Sequence, residues 1–154
     1  MTKNQTASPG LRAMTPSDYD AVLALWQASE GIGLNESDTR EAIAAYLVRN
    51  PGFSLVAEIE GVIVGALLGG HDGRRGYLHH LAVASPHRRR GLGRTLVGES
   101  LARLRAQGIT KCNIFLFANN AAGRAFWLRE GWAPREDLVL VQKAISGSDF
   151  PNGC

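Results

Sequence analysis

The sequence predicts a single domain of the mixed α/β class, in which helices and strands interleave. Its 154 residues suit one ordinary domain, since domains of about 100–200 residues are the norm. Apolar residues recur at helical spacing in the first third of the chain and then fall into short runs rich in Val, Ile and Leu, which are typical of strands. Helical and strand-like stretches alternate again after residue 90. We expect the domain to cover residues 11–145, with a flexible leader at 1–10 and a flexible tail at 146–154.

The first third of the chain predicts one strand followed by two helices. Residues 11–14 form a short strand-like run, and Thr15-Pro16-Ser17-Asp18 supplies the proline and polar caps that favour a helix start. The first helix has an apolar face formed by Tyr19, Val22, Leu23, Leu25 and Trp26. After a glycine-containing loop at 29–36, a second helix begins at a cap, Ser37 or Asp38, and ends at Asn50-Pro51-Gly52.

The middle of the chain changes to the pattern of strands. Residues 53–59 and 62–68 are rich in β-branched and other apolar side chains, and Glu60-Gly61 between them is typical of a tight hairpin. A glycine-rich loop at 69–76 then leads to a further apolar run at 77–83. Residues 53–83 therefore predict three consecutive strands.

The last third alternates helix and strand. Residues 92–106 form a strongly amphipathic helix that Gly108 ends, and 112–117 is another apolar strand. Asn119-Asn120 caps a shorter helix at 121–130, and 138–144 is predicted to be the final strand. The predicted order is strand, helix, helix, three strands, helix, strand, helix, strand.

Composition excludes several classes of protein. Apolar residues make up 45% and charged residues 20% of the chain, which rules out a disordered or collagen-like protein. The two cysteines, Cys112 and Cys154, cannot form a disulfide framework and suit the reducing cytoplasm, where we expect the protein to reside. No apolar stretch approaches the ~18 residues that cross a bilayer, and the polar N-terminus lacks the apolar region of a secretory signal. We therefore expect no membrane partner, and no His or Cys spacing fits a metal site.

The formal charge of +3 is concentrated in one place, because four arginines lie within seven residues: Arg88, Arg89, Arg90 and Arg94. A short cluster suits one discrete anion such as a phosphate group, whereas nucleic acid would favour a wider basic surface with interleaved aromatics. We therefore expect no nucleic-acid partner. The cluster precedes a predicted helix, whose N-terminal backbone N–H groups can bind an anion. Gly91 and Gly93 allow the backbone to approach such a ligand closely.

Spacing distinguishes this loop from two other phosphate loops. A Walker A loop needs Lys followed by Ser or Thr, and no such pair occurs in the chain. A dinucleotide loop would need a third glycine at Leu96 and an acidic residue at the end of the next strand, where 115–117 are apolar. The pattern that is present, Arg-x-x-Gly-x-Gly over residues 88–93, resembles the acyl-CoA diphosphate loop of the GCN5-related N-acetyltransferase (GNAT) family.

Two further features strengthen the resemblance. Asn120, followed by Phe126-Trp127 and Gly131-Trp132, is similar to the family's Asn, Leu-Tyr and Gly-Phe pattern, and the element order over 11–145 is the family's order. Residues 69–76 look like a subgroup of small bacterial acetyltransferases. The resemblance implies the GNAT fold, a central mixed and mostly antiparallel sheet of six to seven strands flanked by four helices. It also implies that the sheet splays between its fourth and fifth strands.

The resemblance implies a ligand and its contacts. Acetyl-CoA would be the acyl donor, with its pantetheine arm between the splayed strands and its diphosphate on the glycine loop. The implied cofactor-binding residues are Leu81, Ala82, Val83, Arg88, Arg89, Arg90, Gly91, Leu92, Gly93, Arg94, Thr95, Asn120, Phe126 and Trp127. The implied reaction is direct attack of a primary amine, carried by a small molecule or a peptide, on the thioester.

Candidate groups for proton transfer lie on the strand before the loop. Strict alternation puts Tyr77 and His79 on one face of this strand and His80 on the other. Family positions matching Tyr77 and His79 can carry the base, so His79 is the predicted general base. Many family members have a tyrosine acid where this chain has Trp127, whose indole cannot protonate a thiolate.

The source of the leaving group's proton therefore stays open at this point. Tyr77 could substitute for the missing tyrosine, solvent could supply the proton, or the thiolate could leave unprotonated. The missing acid also leaves an alternative of another class, a non-catalytic acyl-CoA-binding or sensor protein of the same fold. An exposed edge strand at 138–144 would allow a homodimer.

Overall fold

The computed structural model describes residues 8–146, which form one five-stranded sheet and four α-helices. The strands, which neighbour one another in chain order, are β1 (Gly10–Ala13), β2 (Leu55–Ile59), β3 (Val62–His71), β4 (Gly76–Val83) and β5 (Cys112–Ile114). The helices are α1 (Tyr19–Gln27), α2 (Arg40–Arg49), α3 (Leu92–Ala106) and α4 (Ala121–Arg129). None of these helices is long and apolar enough to cross a membrane. The interleaved α/β class is confirmed.

The sheet is antiparallel from β1 to β4, and β5 runs parallel to β4. Glu60 and Gly61 turn the β2–β3 hairpin with positive φ angles of 50° and 79°, the geometry that two-residue hairpins favour. A parallel neighbour needs a crossover connection, and α3 supplies it between β4 and β5. In this crossover the glycine loop at 88–93 follows β4 after one short turn, Ser85–His87.

Each face of the sheet buries its own apolar cluster. Helices α1 and α2 cover one face, where the buried side chains include Val22, Trp26, Val56, Ala66 and Leu68. Helix α3 covers the other face, where they include Leu55, Leu67, Leu78, Leu96 and Leu104. Neighbouring residues of β2 and β3 fall into opposite clusters, as the alternation of a strand requires.

The sequence prediction differs from the structure at both ends of the chain. The described part has five strands, not six to seven. Residues 138–144, the predicted final strand, are exposed throughout and pair with no strand of the described sheet. The prediction failed because strand-like composition alone does not determine whether a segment has a neighbouring strand. Strand β1 begins at Gly10, inside the predicted leader. Residues 1–7 of that leader and 147–154 of the predicted tail lie outside the described residues.

Candidate active site

The parallel strands β4 and β5 separate soon after they meet. They pair only from Gly76 opposite Cys112 to Leu78 opposite Ile114. Beyond that point residues 78–83 and 114–117 line opposite sides of a cavity of about 790 Å³, which is within the usual range for a small-molecule site. The predicted splay between the fourth and fifth strands is confirmed. It also explains why β5 ends at Ile114 and not at 117, since residues 115–117 no longer have a strand to pair with.

A β-bulge in β4 brings both histidines to the same face of the sheet. Pairing with β3 moves from Ala66 opposite Ala82 to Leu68 opposite His79, so β4 contains one extra residue here. His80 takes up this extra residue with a left-handed φ of 54°. His79 and His80 consequently both line the cavity, with their ring centroids 6.3 Å apart. The sequence prediction that His80 faces away from His79 is wrong, because strict alternation does not anticipate a bulge.

His79 lies among aromatic rings. It stacks with Tyr77 at a centroid distance of 6.4 Å and with Phe115 at 6.0 Å, and the edge of Tyr46 approaches it at 6.4 Å. Burial lowers the pKa of His79 below its usual 6.5, and the neighbouring His80 lowers it further, whereas Asp38 acts in the opposite direction. The ring is therefore neutral at neutral pH and can accept a proton.

His80 is held by Asp38, which belongs to the short turn before α2. Nε2 of His80 lies 2.8 Å from Oδ1 of Asp38, and both side chains are largely buried. The Asp38 carboxylate also accepts a hydrogen bond from the backbone N–H of Asn35 at 3.0 Å, and the Tyr19 hydroxyl donates to the Asp38 carbonyl at 2.7 Å. Trp26 Nε1 donates to the His80 carbonyl at 3.0 Å. These contacts fix the position of His80 from two sides.

Sequence reasoning assigned Asp38 only to a helix cap. The predicted cap of α2 is wrong, because Thr39 and neither Ser37 nor Asp38 caps this helix, with its hydroxyl accepting the Ala42 N–H at 3.1 Å. Asp38 instead completes the capping box of the preceding short turn, where its carboxylate accepts from the Asn35 N–H. The bond to His80 joins residues 42 positions apart. No local pattern could have found it.

Two tyrosines near His79 differ in their access to the cavity. Tyr46, on α2, lines it, and burial raises the pKa of its hydroxyl to about 12, so the phenol stays protonated. Tyr77, the predicted catalytic partner of His79, is absent from the lining and contacts His79 through ring stacking. Sequence analysis missed Tyr46 because one tyrosine on an amphipathic helix has the pattern of an ordinary core residue.

The glycine loop forms the start of α3. Gly91 precedes the helix with a left-handed φ of 78°, and Arg89 is also left-handed at 64°. Thr95 N–H donates to the Gly91 carbonyl at 3.0 Å, so the preceding N–H groups have no acceptor within the helix and can bind an anion. Arg88 lines the cavity and its Nε donates to the Val83 carbonyl at 2.9 Å.

The structure brings half of the predicted cofactor residues to the cavity. Those that line it are Leu81, Ala82, Val83, Arg88, Asn120, Phe126 and Trp127. The other seven, Arg89, Arg90, Gly91, Leu92, Gly93, Arg94 and Thr95, form the loop and the first turn of α3 and are not among the lining residues. The side chain of Leu92 is buried in the α3 cluster, so only its backbone is available to a ligand.

Asn120 and Gly93 lie where α4, α3 and the loop after α1 pack closely together beside the cavity. Asn120 caps α4, because its Oδ1 accepts from the Gly123 N–H at 2.9 Å. Its amide lies so close to Gly31 that a Cβ there would be 2.4 Å from Nδ2. A Cβ on Gly93 would be 3.5 Å from the Phe126 ring. Small residues therefore allow α3, α4 and the loop after α1 to close around one cavity.

Comparison with known proteins identifies relatives over most of the chain. The family model described as the acetyltransferase (GNAT) family matches residues 19–132. An acetyltransferase from Pectobacterium atrosepticum is 32% identical over 140 residues, which cover 91% of this chain and 99% of that protein. An acetyltransferase from Yersinia enterocolitica is 29% identical with the same coverage of both chains.

A solved structure has the same fold. An N-acetyltransferase from Thermoplasma acidophilum in complex with coenzyme A superimposes with a TM-score of 0.70 at 18% identity, covering 79% of this chain and 87% of that one. The similarity in three dimensions supports the GNAT fold that the sequence predicts.

Proposed function

The chain belongs to the GNAT acetyltransferase family, and we propose that it transfers the acetyl group of acetyl-CoA directly to a primary amine carried by a small molecule or a peptide. The observation that carries this proposal is the cavity between the separated strands β4 and β5, with the arginine-rich start of α3 following β4. The helix start offers N–H groups and positive charge to a diphosphate. The cavity offers an apolar path for a pantetheine arm past Val83 and Phe126.

The proposed reaction has one bond-forming and one bond-breaking event at the thioester carbon. The amine nitrogen attacks this carbon, a C–N bond forms, and the C–S bond breaks to release the CoA thiolate. The amine must be neutral to attack and must lose a proton as the amide forms. We assign that proton to His79, because its ring lines the cavity and its lowered pKa keeps it unprotonated.

Two tyrosine hydroxyls are the proposed donors to the leaving thiolate. Tyr77 stacks on His79, and Tyr46 lines the cavity with a pKa of about 12. Conversion of each to phenylalanine keeps the ring and removes the proton. We expect Tyr46→Phe to lower kcat about 10²-fold, as loss of a general acid does, with a smaller effect for Tyr77→Phe. Equal activity of both variants and the unmodified protein would exclude both tyrosines and leave protonation by solvent or departure of the unprotonated thiolate.

The acceptor site is proposed at the end of the cavity where α1 passes into the next loop. Glu30 lines this end and Asp38 lies beside His80, so negative charge could attract a cationic amine before it loses its proton. Asp72, an acidic residue of the β3–β4 loop, accepts the backbone N–H groups of Arg74 and Arg75, each at 2.8 Å, and is therefore engaged in its own turn. We propose the cytoplasm as the location, because the two cysteines of the chain suit a reducing compartment.

Binding of acetyl-CoA is the first test. Calorimetric titration with acetyl-CoA and CoA, with NADH and ATP as controls, should give binding to the first two alone. Arg88→Ala should weaken this binding about 10-fold or more, because a charge-assisted contact is lost. Arg105→Ala, an exposed arginine at the far end of α3, is the matched control and should bind normally. Unchanged affinity in both Arg88→Ala and Gly91→Glu would contradict the proposed diphosphate site.

Turnover is the second test, and it distinguishes an enzyme from a non-catalytic acyl-CoA-binding protein. Release of CoA thiol over a broad panel of amines should reveal at least one acceptor, and His79→Gln should abolish most of that activity. Tight binding of acetyl-CoA without turnover on any amine or peptide would instead favour the non-catalytic acyl-CoA-binding protein.

A further inference from the structure

The proposed base His79 belongs to a group of three nearly parallel rings. Leu78 is buried in the α3 cluster and Ile114 packs against it, so Tyr77, His79 and Phe115 lie on the opposite face of the sheet. Their centroids are 6.4 Å apart for Tyr77 and His79 and 6.0 Å apart for each of the two pairs with Phe115. The interplanar angles are 3°, 20° and 23°. These three residues form the aromatic triangle.

Phe115 leaves the aromatic triangle partly open to the cavity. It directly follows β5, at the point where β5 has separated from β4. Phe115 lines the cavity and is 45% exposed, and His79 lines the cavity beside it. An apolar ring in a cavity wall gains stability when a ligand removes it from water. The exposed part of Phe115 is therefore a surface for the apolar part of a ligand.

The position of the base determines where the rest of an acceptor lies. A base must be within about 3 Å of the atom whose proton it removes, so the amine nitrogen of the acceptor lies next to the His79 ring. The centroid of Phe115 is 6.0 Å from that of His79, and a few bonds of about 1.5 Å each span this distance. Aromatic rings attract one another in offset stacks at centroid distances of about 4.5–7 Å. An aryl group joined to the amine by a short carbon chain therefore fits beside Phe115.

The charges of the cavity fit a single cation. Two acidic residues, Glu30 and Asp38, are among its described lining residues. The Asp38 carboxylate is bonded to His80 and to the Asn35 N–H. Glu30 is exposed and forms no hydrogen bond or ion pair with another residue of 8–146. One carboxylate is thus free to attract an ammonium group, and a second ammonium group would meet apolar and aromatic walls, where an unpaired charge is costly.

We propose that the acceptor is an arylalkyl monoamine, a primary amine joined by a short carbon chain to one aromatic ring. Its nitrogen lies at His79, its ring packs on Phe115, and the charge of Glu30 attracts it as an ammonium ion. This inference rests on the proposed acetyl transfer and specifies its substrate class. Phe115 is then a specificity-determining residue of the acceptor site.

A comparison of three amines tests the substrate class. Phenethylamine and n-butylamine both have one primary amine and differ in the aromatic ring, whereas spermidine has several amines and no ring. With acetyl-CoA as donor, kcat/KM for phenethylamine should be at least about tenfold higher than for n-butylamine. Spermidine should be the poorest of the three.

Variants of Phe115 test the contact itself. Phe115→Leu removes the ring but keeps an apolar side chain, so kcat/KM for phenethylamine should fall about tenfold, chiefly through KM, and the value for n-butylamine should change less than about twofold. Phe115→Tyr keeps a ring and should keep the preference. Leu128→Ala, at a position of α4 that is 47% exposed and is not among the lining residues, is the matched control and should leave both values unchanged. Circular dichroism verifies that the variants are folded.

The outcomes separate this inference from the proposed acetyl transfer. Equal kcat/KM for n-butylamine and phenethylamine, or an equal loss for both in Phe115→Leu, would overturn the substrate class while turnover itself is observed. Acetylation of spermidine or of a peptide amine in preference to phenethylamine would overturn it in the same way. No turnover on any amine, with acetyl-CoA bound, would contradict the acetyl transfer and the substrate class together.

Discussion

Replacement of Asp38 by alanine should destabilise the fold and misplace His80, because one carboxylate makes two buried contacts. It accepts from the His80 ring at 2.8 Å and from the Asn35 backbone N–H at 3.0 Å. Loss of the first leaves a largely buried ring nitrogen without its partner, which costs about 1–3 kcal/mol. Loss of the second removes a helix-cap contact, which costs about 1 kcal/mol. The expected decrease in the free energy of unfolding is about 2–4 kcal/mol.

Urea denaturation followed by far-ultraviolet circular dichroism measures this decrease. Asp20→Ala is the matched control, because Asp20 also pairs with a cation, Arg40, but both side chains are exposed. The control should change stability by no more than about 0.5 kcal/mol. A double-mutant cycle with His80→Ala then isolates the contact between the two side chains, and it should return a coupling of about 1 kcal/mol or more.

The same variant separates a structural from a functional role. Asp38→Ala should lower kcat, because it releases the His80 ring beside the proposed base His79. The affinity for acetyl-CoA should stay unchanged, because Asp38 is not among the proposed acetyl-CoA contacts. Asp38→Asn keeps one acceptor oxygen, which can still accept the Asn35 N–H, and turns an amide N–H towards His80 Nε2, so it should recover part of the stability. A destabilisation by Asp38→Ala no larger than that of Asp20→Ala, or zero coupling in the cycle, would refute the reasoning.

Two further predictions concern packing and pH. Gly69→Ala should destabilise the fold by about 2–3 kcal/mol, because its Cβ would be 2.4 Å from the Phe53 carbonyl oxygen. Gly98→Ala should stabilise the fold by up to about 1 kcal/mol, because a Cβ on this exposed side of α3 meets nothing within 4 Å. Denaturation curves in which both variants change stability in the same direction would contradict this prediction. The pKa of His79 lies below 6.5, so the base stays competent as pH falls and the acid limb of kcat/KM should appear only below pH 6.5. His79→Gln should remove that limb, and a limb above pH 6.5 would argue against His79 as the base.

Much of the architecture could be predicted from local sequence. Helices α1 to α4 and strands β2 to β4 follow from hydrophobic period, and the loop before α3 follows from the glycines and arginines at 88–94. These features depend on interactions within about ten residues of one another. The assignments of Val83, Arg88 and Phe126 to one cavity came from the family resemblance, and the structure brings these three together.

The features that the sequence could not predict depend on distant partners. Asp38 and His80 are 42 residues apart, and residues 138–144 have the composition of a strand but no neighbour among the described elements. The bulge in β4 is a third case. A single extra residue reverses the alternation of everything beyond it, and the pattern of apolar side chains in 77–83 fits either register.

The bulge explains why the two histidines need the contacts that surround them. A non-glycine residue in the left-handed region carries a cost of about 1–3 kcal/mol that the surrounding structure must offset. Trp26 binds the carbonyl of His80 and Asp38 binds its ring, so the interactions of α1 and of the turn before α2 act directly at the strained residue. Without the bulge His80 would point into the apolar α3 cluster, where burial of an imidazole costs free energy. The bulge therefore places two imidazoles of β4 at the cavity, where a regular strand would place only one. This accounts for the coupling between fold stability and activity that Asp38→Ala should reveal.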